Sequence, residues 1–282
     1  MNTIIRAGIP ILTDNIPASR TMAKAIVVSI VAILLCIPSQ AQFPCLAPGT
    51  DFPKEDLPYD IIYQWGFIWK RAGIASLKLD TIRKQKTKYY QSHMIARTLA
   101  FADRIFKVRD TLVSVMKYEN LQPIYYAKIA NEDNTYRKDV VQYSYNNDGS
   151  TNGKITLYRP KRNAIEHYDV PSATCTFDML SVFYYMRTLD YPKMDVGQRI
   201  NLNIYSGNHV EYLSIEFMGR TLVKLKNRQM GAYKIKLHFS TDKGENESDN
   251  ITAWISDDER RIPLQVEGKL AIGSMKAMYT GK

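Results

Sequence analysis

Four histidines, His93, His167, His209 and His238, are scattered through the 282-residue chain. No two stand close enough for an HxH or HExxH pair, the spacings that place two imidazoles on one metal. No nucleophile elbow, phosphate loop or dinucleotide fingerprint occurs either. No catalytic residue, metal or cofactor is therefore expected. The densest acidic run, Asp257-Asp258-Glu259, offers the oxygen donors that hard cations take. Arg260 and Arg261 follow it directly, and a turn in which aspartate satisfies backbone N–H groups is the expected reading.

Three further groups carry binding chemistry. Asp178 and Arg187 bracket a segment with helical spacing, in which Met179, Val182, Phe183 and Met186 recur at i, i+3, i+4 and i+7. Aspartate is a good helix N-cap. The planar fork of Arg187 suits an anionic head group or a carboxylate of the sheet. Tyr59, Ile61, Tyr63, Trp65, Phe67 and Trp69 all fall on odd positions, one side of an extended strand. That stripe is either the core face of a first strand or in part the wall of an apolar cavity, where Trp65 and Trp69 would contact lipid chains or sugars. Lys224, Lys226, Arg228, Lys234 and Lys236 fall on two adjacent strands and form a basic face. Such a face attracts anionic lipid or acidic glycan through its summed potential, and lysines on strands also discourage edge pairing.

The elements that position these groups are mostly strands. The chain holds 19 Tyr, 9 Phe and 3 Trp, a density that with β-branched neighbours favours sheet. Gly73 begins a partner for the aromatic strand, and further strands follow over 88–99, 111–116, 124–130, 136–145 and 154–159. A short helical stretch is expected near 101–108 and the clearest helix over 178–188. Strands 198–206 and 209–218 flank Gly207-Asn208; strands 221–228 and 232–240 flank Gly231. Residues 241–250 read as a polar loop, and two last strands surround 257–260. The fold class is mainly β: a curved antiparallel sheet or half-open β-barrel with one or two short helices.

Location is written near the N-terminus. Lys24 precedes thirteen largely apolar residues, Ala25–Ile37, and then Pro38-Ser39-Gln40-Ala41. A charged start, a short apolar core and a small-x-small exit are the layout of a secretory signal peptide. Residues 1–41 are read as that leader, with 1–21 an over-extended start and cleavage between Ala41 and Gln42. Residues 42–58 form a proline-rich arm, and 59–282 a single β-rich domain. The protein is expected in the periplasm or cell envelope, which with the lack of any recognition motif disfavours nucleic acid as a partner. In an oxidising compartment Cys45 and Cys175 could pair; the alternative is one buried and one idle thiol.

Three segments together resemble a known family. They are Leu57-Pro58-Tyr59 through Trp65-Gly66 to Ala72-Gly73; Asp178-Met179-Leu180-Ser181 with Tyr184-Tyr185-Met186-Arg187; and Trp254-Ile255-Ser256-Asp257-Asp258 with Arg260-Arg261-Ile262-Pro263-Leu264, ending at Gly273-Ser274. In this order they resemble the exported bacterial proteins grouped as domain of unknown function 3108. The resemblance implies an envelope protein without an assigned activity, similar in architecture to lipoprotein-carrier half-barrels. Fold analogy transfers no function by itself.

The resulting expectation is a non-enzymatic protein that binds a lipid or other amphipathic ligand in the cup of its sheet. Trp65, Trp69 and Phe183 would make the apolar contacts and Arg187 would meet the head group. The alternative is a structural or scaffolding protein for envelope or glycan assembly. It would use Lys224, Lys226, Arg228, Lys234 and Lys236 against envelope proteins or anionic glycan.

Overall fold

The chain divides into two units, Met1–Gln42 and Phe43–Lys282. A computed structural model describes residues 51–241, 248–270 and 273–281, all in the second unit. The expected leader, Cys45 and most of the proline-rich arm lie outside the described residues.

Fifteen strands follow one another along the described residues. They are β1 (Glu55–Trp65), β2 (Ile68–Lys84), β3 (Thr87–Thr98), β4 (Arg109–Lys117), β5 (Pro123–Glu132), β6 (Thr135–Tyr145), β7 (Thr151–Arg159) and β8 (Ala164–Ser172). After these come β9 (Thr176–Phe177), β10 (Arg199–Ser206), β11 (His209–Leu225), β12 (Arg228–Ser240), β13 (Ser248–Ser256), β14 (Pro263–Lys269) and β15 (Ser274–Tyr279). All join one sheet in the order β8-β7-β6-β5-β4-β3-β2-β1-β15-β14-β13-β12-β11-β10-β9. Every pairing is antiparallel except that of the two-residue β9, which runs parallel to β10. The sheet curls into a nearly closed barrel with an unsealed seam.

The curl follows from patterning. Successive side chains in a strand point to opposite faces, and one face is apolar nearly throughout. Leu57 and Tyr59 on β1, Leu77 and Leu79 on β2, Leu213 and Ile215 on β11, and Ile235 and Leu237 on β12 are all buried on the inside. The one α-helix among the described residues, α1 (Ser181–Arg187), lies against this inner face.

The seam falls between the two ends of the sheet, β8 and β9. Side chains bridge it in place of a ladder. The Tyr205 hydroxyl on β10 donates to the Val170 carbonyl on β8 at 2.8 Å, and Asn203 Nδ2 donates to Ser172 Oγ at 2.8 Å. The Tyr205 ring lies flat over Gly153 on β7, where an added Cβ would stand 2.7 Å from ring carbons. Glycine is required there because a ring occupies the space of a side chain.

Several elements differ from expectation, each for a local reason. The first strand begins at Glu55, inside the expected arm, since the inward odd-numbered parity of Leu57 and Tyr59 extends back to Glu55. It ends at Trp65, because Gly66 adopts φ +56°, a left-handed turn conformation that glycine takes without strain. Phe67 and Trp69 therefore do not continue the stripe of β1; Trp69 lies on β2 and pairs with Gln64. The turn between β11 and β12 is at Lys226 and Asn227, not at Gly231. Gly231 is a strand residue paired with Leu222, and a Cβ there would stand 2.2 Å from the Asp257 carboxylate. The expected helix near 101–108 is only a 3-10 turn, Ala102–Arg104. Strand β8 was not anticipated: it is an edge strand with Glu166, His167 and Asp169 in its span, so it lacks an apolar stripe.

Candidate functional site

Helix α1 is the best-defined polar construction inside the barrel. Asp178 opens it by accepting the N–H groups of Leu180 and Ser181, both at 2.8 Å, while the Ser181 hydroxyl accepts the Asp178 N–H at 2.8 Å. That exchange is a capping box, satisfying donors a helix start leaves unpaired. The other Asp178 oxygen accepts the Ser114 hydroxyl of β4 at 2.7 Å, which ties the cap to the sheet. Asp178 is fully buried, and burial pushes its carboxyl up to about 6 against the opposing pull of these hydrogen bonds. Two hydroxyls without hydrogen bonds among the described residues, on Tyr126 and Tyr143, are raised by burial and then by the Asp178 charge.

At the other end of α1, Arg187 forms a two-pronged pair with Glu55 of β1, Nη1 to Oε1 at 2.5 Å and Nη2 to Oε2 at 3.0 Å. Nη2 also donates to the Arg260 carbonyl at 2.9 Å. The side chains are 2% and 4% exposed, and the guanidinium stacks 4.7 Å from the Phe52 ring. An arginine buried this way needs a carboxylate, because an unpaired charge in the interior is costly. The sheet-carboxylate reading of Arg187 is what the structure contains. Its fork is committed to Glu55, leaving only Nε without a partner among the described residues.

Of the expected ligand residues, Phe183, Trp69 and Arg187 do not converge. Phe183 is half-buried on α1 and packs against the core. Trp69 is 49% exposed on the rim of the sheet, with Lys276 Nζ 4.3 Å from its ring. Trp65 ends β1, and its side chain lies outside the described residues. The interior is filled by the protein itself. Tyr184 meets Ser92 of β3, Phe177 packs on Tyr185, and Tyr191, just after the helix, stacks 4.9 Å from Tyr233 of β12. A concavity of about 250 Å³ lies instead on β6, β7 and β8, lined by residues including Gln142, Lys154, His167 and Asp169.

Two other sequence features are placed clearly. Lys224 on β11 and Lys234 and Lys236 on β12 alternate with buried Val223, Leu225, Ile235 and Leu237 and so point outward, while Lys226 and Arg228 are exposed at the turn. Lys226 Nζ donates to the Thr280 carbonyl, and Lys234 Nζ lies 5.7 Å from the Trp254 ring. The acidic run is a turn: Asp258 accepts the Ser256 hydroxyl and the N–H groups of Arg260 and Arg261, while Asp257 pairs with Arg220. Cys175 is buried and disulfide-bonded, with its partner outside the described residues.

Sequence reasoning missed Glu55, which stood in the presumed arm. The inward parity it shares with Leu57 and Tyr59 was the available signal.

Fold and packing define the class: a barrel-like β-protein whose own helix occupies the interior. The chain belongs to the family described as "Protein of unknown function (DUF3108)", which it matches over residues 58–280. Among solved structures it is similar to a β-barrel-like protein of domain of unknown function DUF1849 from Brucella abortus. The TM-score is 0.51 at 8% identity, over 81% of this chain and 96% of that one, a likeness of fold alone. No curated protein matches the chain.

Proposed function

We propose that this is an exported, non-enzymatic protein of the cell envelope that works through its outer surface, binding acidic glycan on the basic face of β11 and β12. The observation that carries this reading is the interior. A ligand in the cup would have to displace α1, six of whose seven residues are buried, and break the Arg187–Glu55 pair. The scaffolding alternative therefore gains support over the lipid cup. The outward lysines supply the means, since like charges gathered on one face raise the local potential for a polyanion. The apolar leader supports export.

The test is retention of the exported protein on an immobilised polyuronate, alongside a Lys224→Glu/Lys226→Glu/Lys234→Glu variant. The wild-type chain is expected to elute only with added salt and the variant in the flow-through, with unchanged circular dichroism. Equal retention of the two, or passage of the wild-type chain straight through, refutes the assignment.

A further inference from the structure

The tip of the β1–β2 hairpin carries exposed apolar side chains on two sides, with Trp69 half covered and Lys276 Nζ over its ring. Residues Gly66–Arg71 are all exposed, with Phe67 94% exposed and Ile68 and Trp69 also open to solvent. Strand periodicity sends Ile68 and Trp69 to opposite faces, so no single surface of this barrel could cover them. Beside the hairpin stands the β3–β4 connection, with Ile105 85% exposed and Phe101 and Phe106 exposed as well. The two are joined: the Leu99 N–H donates to the Ala72 carbonyl at 2.8 Å, and Lys70 Nζ lies 4.5 Å from the Phe101 ring. The result is one rim of six exposed apolar side chains. Soluble proteins seldom expose consecutive large apolar residues without a partner for them.

The charges around this rim decide what the partner is. Lys70, Arg104 and Lys107 are exposed among the apolar groups. The nearby acids are already engaged: Asp103 with Arg109, Asp60 with Arg71, and Asp133 accepting the Lys107 N–H at 2.7 Å. Aromatic and aliphatic tips with cations just behind them match the two layers of a bilayer surface, acyl boundary and anionic head groups. A protein partner would have to offer a slot to both sides of the hairpin.

We propose that this rim, centred on Phe67, Trp69 and Ile105, docks the protein onto an anionic phospholipid bilayer. Phe67 and Ile105 enter the acyl boundary while Lys70, Arg104 and Lys107 meet lipid phosphates. The inference is independent of the glycan reading, whose Lys224, Lys226 and Arg228 lie at the other end of the β1, β15, β14, β13, β12 and β11 ladders.

The experiment is flotation of the exported protein with vesicles of phosphatidylglycerol and phosphatidylcholine, compared with phosphatidylcholine alone. The wild-type chain should float with the anionic vesicles. Phe67→Asp/Ile105→Asp should lower the bound fraction by about tenfold or more, as removal of two inserted side chains requires. These residues support no core, so circular dichroism and melting should not change. The Lys224→Glu/Lys226→Glu/Lys234→Glu variant should float like the wild-type chain, which separates this result from the glycan test. Failure of the wild-type chain to float, or equal flotation of the rim variant, overturns the proposal. So does dimerisation of the wild-type chain that the rim variant abolishes, since the patch would then be covered by a second copy.

Discussion

Arg187, on the last turn of α1, grips Glu55, 132 residues earlier at the start of β1, through two parallel hydrogen bonds in the interior of the barrel. The pair joins the only α-helix among the described residues to the strand at the middle of the sheet order. Its Phe52 and Tyr184 ring contacts, at 4.7 and 5.2 Å, exclude water from the guanidinium.

Removing one partner of this pair leaves the other buried and uncompensated. Arg187→Ala or Glu55→Ala is expected to cost about 3–5 kcal/mol in denaturant unfolding. Replacing both with apolar residues of similar size, Arg187→Met with Glu55→Leu, should cost much less than the sum of the single changes. Additive costs would show that the pair is not the working unit.

The seam should be the point where the barrel is easiest to open. Tyr205→Phe removes the donor to the part-buried Val170 carbonyl, for an expected loss of about 1 kcal/mol. Gly153→Ala forces the Tyr205 ring away and should cost about 1–3 kcal/mol. Amide exchange in β8 should quicken in either variant while exchange in β3 stays as in the wild-type chain. Uniform acceleration across the sheet would count against a locally closed seam.

Asp178 gives a pH dependence of defined sign. Its carboxyl titrates at about 6 in the folded chain, above its ordinary value of about 4 when unfolded. Between those two pH values the folded state holds more protons, so the contribution of Asp178 to stability falls as pH rises through the window. The change is on the order of 3 kcal/mol across it. Asp178→Asn retains a capping oxygen and cannot ionise. The stability of the wild-type chain relative to this variant should therefore decline from pH 4 to pH 6 and then level off. Parallel stability curves would contradict the burial of a titrating carboxyl here.

The mainly β class, the α1 cap at Asp178 and most strands were legible in the sequence, because period-2 alternation and capping are local patterns. A strand such as β10 carries its own turn residues and apolar parity, and no distant contact is needed to read it. The Asp257–Glu259 turn is equally local, with its hydrogen bonds spanning only a few residues.

Tertiary structure decided the rest, where partners are far apart in sequence. Gly231 has the look of a turn residue, yet it serves to admit Asp257 from another connection. The sequence showed one apolar stripe on α1, whereas Tyr184, Tyr185 and Arg187 are buried as well within the barrel. Phe67 and Trp69 have the parity of core residues, but the turn at Gly66 carries them to an uncovered rim. Parity determines which side chains share a face; only the closed sheet determines whether that face meets core, helix or solvent.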